Sequence, residues 1–130
     1  MSMPNIQKNV YGEKLQACCK FPMTGYMRDG YCQMIPSDIG QHTACIEVTD
    51  TFLIFSKEAG NDLSTPMPEN DFPGLITGDR WCLCALRWVE AYSAGAAPGL
   101  ILSATHESLL EYVPLNILKQ FSVNDDESNL

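Results

Sequence analysis

The 130-residue chain is 45% hydrophobic and 18% charged, which fits one ordinary globular domain with a core of respectable size. Sixteen acidic residues against eight basic ones give a formal net charge of −8, which repels phosphate backbones and anionic lipid surfaces and so argues against nucleic acid and membrane partners. Met1 to Lys8 lack the apolar stretch of a secretory signal, and no run of about 18 apolar residues marks a membrane span; the expectation is a soluble cytoplasmic protein whose six cysteines are free thiols.

Residues 1–123 read as one domain and 124–130, rich in acidic and small polar residues, as a flexible tail. Gly12, Pro22, Gly25, Asp29-Gly30, Pro36 and Gly40 break the first third every few residues, so short strands and loops are expected there. Residues 42–49 alternate as a half-buried strand, with Ala44, Ile46 and Val48 on one side and Thr43, Cys45 and Glu47 on the other. Asp50 then caps a helix over 51–59 that buries Phe52, Leu53 and Phe55 and stops at Gly60. Residues 60–79 carry too many Asn, Asp, Pro and Gly for regular structure and predict a long ordered loop, packed through Leu63, Phe72 and Leu75.

Periodicity predicts a helix from Asp79, as N-cap, to Gly95. Leu100–Ala104 and Leu109–Val113 read as two strands paired through a turn at His106, and Pro114 opens a last short helix that turns Leu115, Leu118 and Phe121 inward. The fold class that follows is α+β: a small, largely antiparallel sheet with two or three helices packed on it and a long ordered loop across one end. Trp81, Ala85, Trp88 and Tyr92 would fasten the 79–94 helix to the sheet.

The stretch Gly78-Asp79-Arg80-Trp81-Cys82-Leu83-Cys84 looks most like chemistry. At about 100° per residue, Cys82 falls in the buried stripe with Leu86 and Val89, and Cys84 lies about 200° away. On a helix these two sulfurs can share neither a metal nor a disulfide, so Cys82 reads as a small core hydrophobe. Cys84, near a helix N-terminus and beside Arg80 or Arg87, is a candidate nucleophile because positive potential favours thiolate.

His42 and His106 are the other catalytic candidates, the only histidines and the side chains best suited to proton transfer near neutral pH. His106 also reads as a turn residue bonding backbone. His42-x-x-Cys45 has the look of half a zinc site that Cys18-Cys19, Cys32 and His106 could complete, but a well-spaced second ligand pair is missing. The sequence leaves the cofactor unknown and points to none in particular. Asn61, Asp62, Ser64 and Thr65 can bind a polar ligand or simply bond their own backbone, and Arg28-Asp29 can be an anion contact or a solvated turn.

Four stretches, "PMTGYMRDGYC" at 22–32, "HTACIEVTDTFLIFSKEAGNDLSTP" at 42–66, "FPGLITGDRWCLCALRWVEAYSAGAAP" at 72–98 and "ATHESLLEYVPLNILK" at 104–119, together resemble the bacterial and plant family called domain of unknown function 2237. Where that family has Asp-Gly-Cys-Cys, this chain has Asp29-Gly30-Tyr31-Cys32, so no reading can require both thiols. The resemblance implies that Arg28-Asp29, His42, Asn61-Asp62-Ser64-Thr65, Asp79-Arg80-Trp81 and Thr105-His106 belong to the family signature, without assigning roles. The leading functional expectation is a pocket, formed by the 60–79 loop with His42, Arg80 and His106, that binds a small polar or anionic metabolite, with enzymatic action left open. The alternatives are a protein-interaction or homo-oligomeric module using Met67, Phe72 and Leu75, and a zinc-stabilised domain.

Overall fold

The computed structural model of the chain describes residues 7–19, 23–70 and 72–123. Its centre is strand β1, His42–Glu47, flanked by β2, Arg80–Cys84, and β3, Gly99–Leu100, in a three-stranded antiparallel sheet of order β2-β1-β3. With three α-helices this makes the fold α+β. The alternation along β1 is as expected, yet both faces are covered. Ala44 and Ile46, with Trp81, Leu83 and Leu100 from the neighbouring strands, join the main core with Phe52, Trp88, Leu109 and Leu118. Cys45 and Cys82, opposite each other in the register, point into a smaller cluster with Cys18, Cys32, Ile101 and Ala104.

Helix α1, Asp50–Glu58, forms where expected, one residue early, because Thr49 and not Asp50 is the cap: its hydroxyl accepts from the Phe52 N–H at 3.1 Å. Such a bond is worth about 1 kcal/mol. Phe52 and Leu53 are buried, and Gly60, at φ +95°, releases the chain from the helix into the loop. That loop is ordered, carries a single 3-10 turn at Pro68–Asn70, and is held down by buried Phe72 and Leu75 and partly buried Leu63.

The segment expected as one helix from 79 to 94 is instead a strand followed by a helix, α2, Ala85–Ser93. Arg-Trp-Cys-Leu-Cys is apolar in both periods, and a short apolar run cannot choose between them alone. The edge of β1 decides it: pairing with β1 sends Trp81 and Leu83 to one face and Cys82 to the other. The wheel that separated Cys82 from Cys84 therefore does not apply, and Leu86, expected in the buried stripe, is exposed. α2 buries Ala85, Trp88 and Ala91, with Trp88 stacked on Tyr92 and met edge-on by Phe121.

The two strands expected over 100–104 and 109–113 are corrected as well. After the two residues of β3 the chain forms 3-10 turns at Leu102–Ala104 and Glu107–Glu111, then helix α3, Leu115–Leu118, opened by Pro114. Leu118 is buried, while Leu115 and Phe121 are half-buried against the core. The acidic segment 124–130 lies outside the described residues.

The expectation of six free thiols is overturned. Cys18 is bonded to Cys45 and Cys32 to Cys82, leaving Cys19 and Cys84 free among the described residues. Cys82 is thus a cross-link and not a lone core hydrophobe. The two bonds fasten the irregular first third to β1 and β2, a pairing across 27 and 50 residues that carries no spacing signal. Thr24, fully buried, assists by accepting from the Cys82 N–H at 2.7 Å, which covers the outer edge of β2.

Candidate functional site

Across the end of β1 and β2 opens a cavity of about 260 Å3. The polar groups on its wall are Arg28, His42, Asn61, Cys84 and Arg87; Gly40, Leu63, Trp81 and Leu83 complete it. The strands deliver these residues through an irregularity: Ala44 pairs with Leu83, but the next pair is His42 with Cys84, so Thr43 is an extra residue in β1. A bulge of this kind re-aims neighbouring side chains. It brings His42 and Cys84 to the same wall as Trp81 and Leu83.

His42 is held by Asp38, a carboxylate that is only 3% exposed. One oxygen accepts from the His42 backbone N–H and the other meets Nδ1, both at 2.8 Å. A carboxylate only accepts, so Nδ1–H donates to it, and in the neutral ring Nε2 is the nitrogen with the lone pair. Arg28 sits at φ +55°, a left-handed conformation uncommon for residues other than glycine and a mark of functional turns when it persists. Its turn requires Gly25: a Cβ there would lie 2.5 Å from the Tyr31 carbonyl oxygen. Arg28 donates to the Gly25 carbonyl and lies 5.2 Å over the Trp81 ring, which holds the guanidinium at the cavity. Arg87, from α2, donates to the Ala59 carbonyl at 3.2 Å and to Glu90 at 3.1 Å. Each guanidinium carries five N–H donors, more than these contacts use.

Eight of the other candidates serve the local structure. Asp62 accepts from the Ser64 N–H and hydroxyl and from the Thr65 hydroxyl, bonds that hold its carboxyl down at about 2. Asp79 accepts from the Ile76 N–H, and Asp29 from the Tyr31 N–H and Gln33. Arg80 pairs with Glu47 at 3.8 Å across the strands. Thr105, buried, accepts from the Cys45 N–H and donates to Ile101. His106 is buried too; its Nδ1 accepts from the Ser108 N–H, and burial lowers its pKa against the opposing pull of Glu107 and Glu111. The expected grouping of His42, Asp62, Arg80 and His106 does not form: only His42 lines the cavity.

Zinc is no better served by the residues expected to bind it. His42 is turned to Asp38, and Cys45 is bonded to Cys18 in the other cluster. The sulfurs of Cys18, Cys32 and Cys82 lie within 4.8 Å of one another, but all three are in disulfides, and the metal ligand is the thiolate. Of the apolar residues expected on an interaction surface, Phe72 and Leu75 are buried and only Met67 is exposed. No helix among the described residues is long and apolar enough to cross a membrane.

Sequence reasoning missed Asp38 and named Arg87 only as a neighbour of Cys84, not as a residue of the pocket. A signal existed for the first, since Asp38 stands four residues before His42 in a turn-rich stretch where a carboxylate can reach back to a backbone N–H. None existed for the second, whose place depends on the strand-to-helix transition at 84–85.

The family model described as an uncharacterized protein conserved in bacteria (DUF2237) matches residues 8–122, and the chain belongs to that family. No curated protein matches the sequence.

Proposed function

We propose that the chain binds a small polar or anionic metabolite in the cavity between β1, β2 and the start of the 60–79 loop. The observation that carries this is the placing of two guanidiniums, Arg28 and Arg87, on one small cavity of a chain with net charge −8. Ordered arginine donors beside an imidazole and an amide suit a carboxylate or phosphate group. The volume, below the usual range for drug-sized ligands, favours a compact metabolite. Trp81 and Leu63 supply the apolar wall such a ligand lies against.

Titration with inorganic phosphate, followed by amide NMR shifts, tests it. The shifts are expected to cluster at residues 28, 42, 61, 81 and 87, and Arg87→Gln is expected to weaken them about tenfold or more, the scale of a hydrogen bond to a charged group. Shifts scattered over the surface, or unaltered by Arg87→Gln, would overturn the reading. The cytoplasmic location read from the sequence stays part of the proposal, although the two disulfides stand against it, because paired sulfurs persist mainly in oxidising compartments.

A further inference from the structure

We infer that Cys84 is a nucleophile with His42 as its base and Asp38 as the residue that orients that base, and that the anion held by Arg28 and Arg87 is an acyl compound attacked at its carbonyl carbon. The inference rests on the anion-site reading above and goes beyond it in assigning a reaction.

Of the six cysteines, four are locked in disulfides, and Cys84 is a free thiol on the wall of the cavity. His42 stands directly opposite it in the β1–β2 register. Opposed residues of a regular antiparallel pair carry their Cβ atoms about 4.5–5.5 Å apart; this pair adjoins the bulge, and rotation of the Cys84 thiol, with the imidazole kept on Asp38, is the movement that closes the remaining gap when substrate binds. Asp38 fixes the tautomer: with Nδ1–H donated to its carboxylate, only Nε2 can take a proton from the thiol. A nucleophile, a base and a buried group that orients the base are the three parts that thiol catalysis requires. Cys84 also immediately precedes α2 and its side chain makes no capping bond; the Ala85 N–H is taken by the Gln41 carbonyl, so it is the positive end of the helix rather than that N–H that favours negative charge at the sulfur.

The chemistry balances without an oxidant. The Cys84 Sγ–H proton passes to His42 Nε2 as Sγ attacks the carbonyl carbon; the C–S bond forms and the carbonyl electron pair moves to oxygen. Collapse restores C=O, breaks the bond to the leaving group and returns the Nε2 proton to it, leaving a thioester on Cys84. Water, deprotonated by the same Nε2, then breaks the C–S bond and frees a carboxylic acid and the thiol. Arg28 and Arg87 hold the anionic end of the acyl compound meanwhile.

Competitive alkylation of the full chain near neutral pH, read by peptide mass spectrometry, tests this with Cys19 as the internal reference. With iodoacetamide, Cys84 is expected to react about tenfold or more faster than Cys19, a threshold set below the roughly 100-fold that a positioned base supplies at the least. His42→Gln is expected to erase the advantage, and added imidazole to restore it in His42→Gly, which a merely structural histidine would not allow. Asp38→Asn, as a positioning variant, is expected to lower the rate and to remove the Nδ1–H tautomer signal of His42 in nitrogen NMR. A p-nitrophenyl ester bearing a carboxylate is expected to leave one acyl group on Cys84.

Equal rates at Cys84 and Cys19, or a Cys84 rate indifferent to His42, would overturn the nucleophile even if phosphate still shifted the cavity amides. The anion reading is judged separately by iodoacetate, expected to favour Cys84 over Cys19 more strongly than iodoacetamide does. A His42-dependent rate without that anionic preference would remove the anion site and leave the nucleophile.

Discussion

His42 and His106 show how far one residue type can be divided by its surroundings. His42 is partly exposed, with one nitrogen tied to Asp38 and the other left to the cavity. His106 is buried, its Nδ1 already accepting from Ser108, so a proton on that nitrogen would break the bond and charge an apolar site. Its pKa in the fold is lowered from 6.5, which means the unfolded chain binds the proton more readily. Stability from this group is therefore complete above 6.5 and is lost as pH falls from 6.5 through the folded pKa. Urea unfolding across that window is expected to show a decline with falling pH that is smaller in His106→Asn, whose side chain can still accept from Ser108 but does not titrate. Equal slopes in the two proteins would show that His106 is not the group responsible.

At the scale of elements, β2 is the decisive one. It is five residues long, with no intrinsic demand to be a strand, and it owes its conformation to β1 on one edge and to the Thr24 hydroxyl on the other. Thr24→Val keeps the shape but leaves the buried Cys82 N–H without its acceptor, which costs about 1–3 kcal/mol. Thr24→Ser keeps the oxygen. Urea midpoints are expected to fall for the valine variant and to stay nearer wild type for serine, and β2 amides are expected to exchange faster in the former. A valine variant as stable as serine would mean that the bond holds nothing the packing does not.

For the whole molecule, the first third has no named strand or helix among its described residues and is joined to the sheet by the two disulfides and by buried polar anchors. Asn9 is one such anchor: its amide donates to Ser103, and its oxygen accepts from the N–H groups of Tyr11 and Glu13. Losing a native disulfide costs a small domain about 2–5 kcal/mol, and near this size each kcal/mol moves Tm by about 4 °C. Reduction is therefore expected to lower Tm by about 10 °C or more, and to loosen residues 7–40 first in hydrogen exchange. An unchanged Tm after complete reduction would show that packing alone holds this segment. Because Arg28 and Asp38 both belong to it, reduction is also expected to weaken the cavity.

The sequence by itself determined the fold class, β1, α1, the packed loop and the stops at Gly60 and Gly95, because each follows from local periodicity or from a backbone conformation that glycine tolerates. It also pointed to Arg28, His42, Asn61, Trp81 and Cys84, but as separate residues drawn from stretches far apart in the chain. Tertiary structure decided their company. The apolar run Trp81–Cys84, with Arg80 before it, became a strand because β1 offered an unsatisfied edge, and that single change moved Cys82 into a disulfide, Cys84 opposite His42 and Arg87 to the cavity wall. Hydrogen bonding between strands and sulfur pairing over 27 and 50 residues are non-local, so no window of the sequence contains both partners.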